Sequence, residues 1–207
     1  PVVAILATGD ELSTAGTPLE PGKIYDSNSF SVAASVMACG GSPHLLGVAR
    51  DNLEDLQSKL EQISGADLVI TSAGVSKGDY DIVKEALSQN GKIEFWSVRM
   101  RPAKPLAFGI LNGPIGNDVP HLGLPENPVS ALVAFEQFAR HAIFKMLGRG
   151  DASSRIRGAS PQRYAHTIED QYLMAALLSG MLDYPLAARR SDQYPSIRWI
   201  PRPHPCT

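Results

Sequence analysis

The feature that most constrains this chain is a repeated order: a short apolar run, a polar loop, then an amphipathic helix. It is clearest at Asp67–Lys84, DLVITSAGVSKGDYDIVK. Leu68, Val69 and Ile70 read as a buried strand. Thr71, Ser72, Ala73, Gly74, Ser76 and Gly78 form a small-residue loop that brings backbone N–H groups close together. Asp79 and Asp81 meet the start of a helix carrying Ile82, Val83, Ala86 and Leu87. A strand that feeds a helix and returns in the same sense specifies a mostly parallel sheet with helices on both faces, an α/β three-layer fold. In such sheets ligands bind at the loops beyond the carboxyl ends of the strands. The other informative segments then serve as further walls around this loop.

The same pattern runs along the rest of the first 148 residues. Val2–Ala7 reads as a strand ending in Thr8-Gly9-Asp10-Glu11-Leu12. Asp10 either approaches a metal or ligand hydroxyl, or caps the turn after Gly9. Leu19–Gly22 is a turn-rich bridge. Asp26-Ser27-Asn28 can cap a helix whose apolar positions, Phe30, Ala33, Ala34, Met37 and Ala38, end at Gly40-Gly41. Pro43–Val48 is the next strand. Asn52 caps a helix with Leu53, Leu56, Leu60 and Ile63 on its buried stripe, and Asp51 either faces the site or is structural. Ile93–Val98 reads as a strand or extended segment, Leu106–Leu111 is an apolar run and Val119–Leu124 a last short strand, with a hairpin connection at Asn112–Asp118 between the last two. Asn127 is an N-cap and Pro128 a first helical residue for a long helix through Met146.

Arg99-Met100-Arg101-Pro102-Ala103-Lys104-Pro105 concentrates cations between prolines. It is either an anion site, with Arg101 and Lys104 on phosphate or carboxylate oxygens, or a solvated basic loop. Residues 149–207 form a C-terminal extension of different character. A helix is expected over Gln171–Leu182, and five prolines and several arginines then leave a lobe, an interface arm or a tail as the readings.

Composition narrows the function classes. A formal net charge of -2 gives no reason to expect nucleic acid or an anionic membrane as partner. Cys39 and Cys206 are too far apart for a metal motif, and Cys39 is read as a buried thiol. The absence of a signal sequence or spanning segment leads to a cytoplasmic expectation, while the opening directly on a strand fits a cut within a longer protein. There is no Walker loop, no G-x-G-x-x-G and no nucleophile elbow. What remains is a set of acidic and basic residues around one loop: Asp10, Asp51, Asp79 and Asp81 against Arg101 and Lys104. Hard Mg²⁺ is held by one or two carboxylates together with substrate phosphates, so phosphoryl or nucleotide-linked chemistry is the expectation.

Five ordered motifs carry a family resemblance: TGDEL at 8–12, GKIYDSN at 22–28, TSAGVSKGDYDIVKEAL at 71–87, RPAKPLAFG at 101–109 and GLPENPVSALVAFEQF at 123–138. Residues 1–148 resemble the molybdopterin-binding domain of the MoeA family of molybdopterin molybdenumtransferases, whose eukaryotic counterpart is the gephyrin E region. The resemblance implies a pterin nucleotide, adenylylated molybdopterin, and molybdate as substrates, with Mg²⁺-dependent insertion of molybdate and release of AMP. It makes Asp81 the leading catalytic and metal-binding residue, with Asp10 beside it and Lys104 catalytic. Thr8, Ser72, Gly74, Ser76, Gly78 and Arg101 would hold pterin and phosphate, and Asn127 and Ser130 would line the opposite wall. A homo-oligomer and other molybdenum-cofactor synthesis proteins are the macromolecular partners it suggests. Two other functions fit parts of the pattern. One is a MogA-like adenylyltransferase or a CinA-type nucleotide enzyme; the other is a non-catalytic pterin-binding or scaffold domain. Residues 149–207 do not resemble the family's C-terminal β-barrel. Three positions depart from the family: Ala73 and Ala103 where glycine is usual, and Glu126 in GLPENP where the pattern is GLPGNP. A residue other than glycine at position 126 is strained if the backbone there has positive φ, and its carboxylate would repel an anion.

Overall fold

The computed structural model describes residues 1–72, 80–113 and 118–149, with the backbone alone at 80–82. Its centre is a six-stranded sheet. β1 (Val2–Thr8), β4 (Ser42–Ala49), β5 (Leu68–Ser72) and β8 (Asp118–Leu124) are parallel, and β6 (Gly91–Ser97) and β7 (Pro105–Asn112) close one side. The spatial order is β4-β1-β5-β8-β7-β6. The β8–β7 and β7–β6 pairings are antiparallel. The mostly parallel α/β fold anticipated from the alternation is therefore present, with β7 and β8 paired as hairpin partners.

Alternation along the strands sorts side chains onto two buried faces. Val3 and Ile5 of β1, Leu68 and Ile70 of β5, and Leu122 and Leu124 of β8 join one core cluster. Ala4, Leu6, Val69 and Val119 join the other. The first face is covered by α1 (Asn28–Cys39) and by a long helix made of α4 (Pro128–Ala134), a π-helical turn (Phe135–Ala139) and α5 (Arg140–Met146). The second is covered by α2 (Leu53–Leu60) and α3 (Tyr80–Gln89). Three layers result because a parallel sheet leaves no face for water. Each fully buried Val, Leu or Ile contributes about 1.5–3 kcal/mol of transfer free energy, so the sheet centre dominates the stability.

The helix starts follow local chemistry. The Asn52 side chain accepts from the Asp55 N–H at 2.9 Å, and Asp55 Oδ2 accepts from the Arg50 N–H at 2.7 Å. Asn127 accepts from the Val129 and Ser130 N–H groups at 3.0 and 3.2 Å, with Pro128 opening α4. At α1 the capping residue is Asp26, whose Oδ1 accepts from the Ser29 N–H at 3.0 Å; Ser27 makes no side-chain cap. The helix over 128–146 is continuous as expected, but its middle turn is π-wound where Phe135 and Phe138 are both fully buried. Such single π turns occur inside α-helices. Two strands of two residues each, β2 (Leu12–Ser13) and β3 (Ile24–Tyr25), pair in parallel outside the main sheet. The apolar pattern did not anticipate them.

Candidate functional site

The carboxyl ends of β1, β5 and β8 reach one edge of the sheet in register. Ala7 is opposite Ser72, and Ser72 is opposite Leu124. β7 begins at this same edge with Pro105. The motifs at 8–12, 101–109 and 123–138 are thereby brought to one side of the molecule, far apart as they are in sequence.

Beyond β1 the chain turns at Gly9, which has φ 149° and donates to the Ala49 carbonyl at 3.1 Å. Asp10 and Asp51 then bind each other's backbone: the Asp10 N–H donates to Asp51 Oδ2 at 3.2 Å, and the Asp51 N–H to Asp10 Oδ1 at 3.1 Å. Lys23 Nζ donates to the Asp10 carbonyl. The β2–β3 arm follows, tied by Ile24 N–H to Glu11 O at 2.8 Å and Asp26 N–H to Ser13 O at 3.0 Å.

This arm, the start of α1, the ends of β1 and β5, and the β8–α4 junction enclose a cleft of about 360 Å³. Its lining includes Thr8, Glu11, Tyr25, Asp26, Asn28, Ser72, Glu126 and Asn127. Four of these polar residues are deeply buried: Thr8 is 1% exposed, Ser72 2%, Asp26 6% and Asn28 8%. Asn28 binds the two sides of the cleft together, its Nδ2 donating to Ser72 Oγ at 2.7 Å and to the Glu126 carbonyl at 2.6 Å. Among the described residues, nothing donates to Asn28 Oδ1 and nothing pairs with Thr8 Oγ1, although both atoms are buried. Buried polar atoms are ordinarily satisfied, so two without a partner in residues that line one cleft set it apart.

Of the residues anticipated from sequence, Thr8, Ser72 and Asn127 line this cleft, and Asn127 Oδ1 is spent on capping α4. Ser130, also anticipated for the wall, lies in the first turn of α4, where its N–H and Oγ turn to Asn127 Oδ1, the latter at 3.5 Å. Asp10 does not line the cleft; its carboxylate holds the Asp51 turn. Arg101 and Lys104 are exposed in the loop between β6 and β7, at the same sheet edge but outside the lining. Gly74, Ser76 and Gly78 lie outside the described residues, as does the Asp81 side chain, whose backbone stands in the first turn of α3. Glu126 does not have positive φ. Among the described non-glycine residues only Ala103 does, at 72°. The carboxylate at 126 therefore carries no left-handed backbone strain, whereas Ala103 carries the strain that a glycine would lack.

Sequence reasoning did not assign Asn28, Asp26, Glu11 or Tyr25 to the site. The GKIYDSN motif contained three of them, but its Asp-Ser-Asn was read only as a helix start. Beneath the end of β5, on the opposite face from Ser72, Thr71 Oγ1 lies 3.0 Å from His121 Nε2 in the core. Burial pushes the His121 pKa down to about 3, so the ring is neutral at ordinary pH. Burial likewise raises the Cys39 thiol, in keeping with an inert core cysteine. No helix among the described residues is long and apolar enough to cross a membrane.

The comparisons agree with this geometry. A family model described as a probable molybdopterin binding domain matches residues 4–145. The molybdopterin molybdenumtransferase of Nostoc sp. is 46% identical over 150 residues, which is 72% of this chain and 34% of that protein. The enzyme of the same name from Haemophilus influenzae is 41% identical over 148 residues, 71% of this chain and 35% of that protein. The crystal structure of a molybdopterin biosynthesis MoeA protein from Pyrococcus horikoshii superposes with a TM-score of 0.64 at 30% identity, covering 73% of this chain and 36% of that one. The chain thus spans about a third of the length of these relatives. Over most of its length, this chain belongs to the molybdopterin-binding domain family.

Proposed function

We propose that this chain works in molybdenum-cofactor synthesis by holding adenylylated molybdopterin along the carboxyl edge of its sheet while molybdate is inserted and AMP released. The observation that carries this reading is the cleft itself. Family motifs distant in sequence converge on it, and two residues of its lining carry buried oxygens, Thr8 Oγ1 and Asn28 Oδ1, with no partner among the described residues. Positioning is then the main contribution of the protein, since a bound and oriented pair of reactants needs little further help from acid–base groups.

Mg²⁺ bound together with the substrate would supply charge neutralisation for phosphoanhydride oxygens. Asp81 and Asp10 remain its proposed ligands from the family correspondence. Among the described residues no group of three acidic, histidine or cysteine side chains forms a preformed metal cluster, so the substrate phosphates would complete the coordination. Arg101 and Lys104 offset anionic charge from the exposed loop, and Asn28 keeps the two walls of the cleft in register.

The test supplies the protein with adenylylated molybdopterin, molybdopterin, ATP, molybdate and Mg²⁺ in separate combinations. Molybdate-dependent AMP release with cofactor formation is expected. ATP-dependent adenylylation of molybdopterin would replace this reading with an adenylyltransferase. Glu126, a carboxylate on the cleft wall, favours one second reading, a domain that binds pterin without turnover. Binding with no AMP release in any combination is its signature.

A further inference from the structure

A helix on the outside of a three-layer fold ordinarily turns an apolar stripe to the sheet and a polar one to water. α2 does so: Leu56 and Leu60 are buried, while Glu54, Gln57 and Ser58 are exposed. α1 does not. Its sequence, NSFSVAASVMAC, contains no charged residue. Val32, Ala33, Val36 and Cys39 are buried in the core beneath it. The residues left outside, Phe30, Ala34, Met37 and Ala38, recur at helical spacing and are apolar as well. Phe30 is 50% exposed and Met37 64%. The serines beside them turn inward to the main chain: Ser31 Oγ donates to the Asn28 carbonyl at 3.1 Å, and Ser35 Oγ to the Ser31 carbonyl at 2.9 Å. A helix that is apolar all round is ordinarily covered on both sides. We propose that the outer side of α1 is a docking surface for this chain's own apolar stretch Gln171–Leu182. The docking does not depend on what the cleft binds.

The occupant follows from where the described residues end and from the sequence beyond them. After α5 the chain turns at Gly148, with φ 65°, and the Arg149 N–H donates to the Phe144 carbonyl at 2.9 Å. Leu147 and Arg149 then lie against Gly40, the residue that ends α1: a Cβ placed on Gly40 would sit 3.4 Å from Leu147 Cδ1 and 3.8 Å from Arg149 Nη2. The chain is thereby delivered to the C-terminal end of α1, one helical turn from Met37. At about 3.3 Å per extended residue, the connector 150–170 reaches well beyond the length of α1, which is about 18 Å. Gln171–Leu182, QYLMAALLSGML, matches α1 in length and, like it, carries no charge. Leu173, Met174, Leu177, Leu178 and Met181 supply its apolar bulk, and Glu169-Asp170 and Asp183 bound it. Laying one uncharged face on the other removes both from water. A second copy of the chain could cover the same face, but it must come from solution, whereas a tethered segment is present at an effective concentration of about millimolar.

The experiment places a photoreactive benzophenone side chain at position 30, 37 or 58 of the full chain, one position at a time. Each protein is irradiated at micromolar concentration, and the cross-linked peptides are identified by mass spectrometry. Ser58, exposed on α2 across the sheet, is the control. Positions 30 and 37 are expected to cross-link within one chain to peptides containing residues 171–182, and position 58 is not. Adding Leu177→Asp/Leu178→Asp to the position 30 and 37 proteins is expected to lower that yield about tenfold or more, because burial of one leucine already shifts a docking equilibrium by about that factor. Cross-links from 30 and 37 that join two chains overturn the assignment in favour of a second copy. Equal yield from position 58, a yield indifferent to the two leucine substitutions, or no cross-link to 171–182 each overturns it outright.

Discussion

Thr8→Val makes the orphaned hydroxyl measurable in the absence of any ligand. The side chain is 1% exposed at the end of β1, opposite Ala49, and its Oγ1 has no partner among the described residues. Leaving a buried polar group unsatisfied costs about 1–3 kcal/mol. Valine keeps the branched shape and suits a strand, and a buried methyl adds favourable transfer free energy of about 0.8 kcal/mol. Allowing for imperfect fit of the methyl, a net gain of about 1–2 kcal/mol is expected. For a domain near 150 residues that raises Tm by roughly 3–6 °C. Urea unfolding followed by circular dichroism should show a higher midpoint with an unchanged slope. Ser72→Ala in the same cleft provides the contrast: its Oγ accepts from Asn28 Nδ2 at 2.7 Å, so its removal should lose about 1 kcal/mol. A Thr8→Val protein that is less stable than the parent, or a Ser72→Ala protein that gains, would refute the claim that ligand contact is the reason for a polar residue at position 8.

Gly9→Ala should destabilise by about 1–3 kcal/mol, because φ of 149° is strained for any side chain; the new Cβ would also lie 2.6 Å from the Glu11 carboxylate, so Glu11 must move off the cleft wall. A melting temperature equal to the parent's would contradict that. His121, with a pKa lowered to about 3, binds no proton in the folded state while the unfolded chain binds one below about 6.5, so stability is full above that pH and falls with acidification by about 1.4 kcal/mol per unit down to the folded value. Denaturation across pH 4.5–7 should show His121→Gln with a slope smaller by one proton; an unchanged slope would place the acid sensitivity elsewhere. Glu126→Gly should not gain stability and should lose about 0.5–1 kcal/mol of backbone entropy, since the native backbone there has no positive φ; a clear gain in the urea midpoint would show strain at that position after all.

The parts of the fold that were legible in the sequence are those whose causes are local. Leu68–Ile70 and Leu122 with Leu124 announce central strands by their apolar character. Asn52 and Asn127-Pro128 announce helix starts through side chains that bond within three residues. The β2–β3 arm was not legible, because two-residue strands are too short to show a period. Asp10 and Asp51 stayed ambiguous for a related reason: their reciprocal bonds join turns 41 residues apart. Asn28 was seen as part of a helix start and not as the residue that joins Ser72 and Glu126, which lie 44 and 98 residues away. The small-residue loop with Gly74, Ser76 and Gly78, and the helix expected over Gln171–Leu182, lie outside the described residues.

The acidic, acceptor-rich character of the cleft follows from the way the fold closes its own helix ends. α1 and α4 both begin there, each bringing unpaired N–H groups and the positive end of a helix dipole. Left open, those ends would form an anion site. Asp26 and Asn127 close them from within, and what they leave facing the cleft is oxygen. The same economy makes Asn28 both a helix residue and the clamp between β5 and the β8–α4 junction, and leaves its own carbonyl oxygen over. The Arg101–Lys104 loop at the same sheet edge is built the other way: it leads into a strand and not a helix, its cations are exposed, and Ala103 at φ 72° shapes the turn between them.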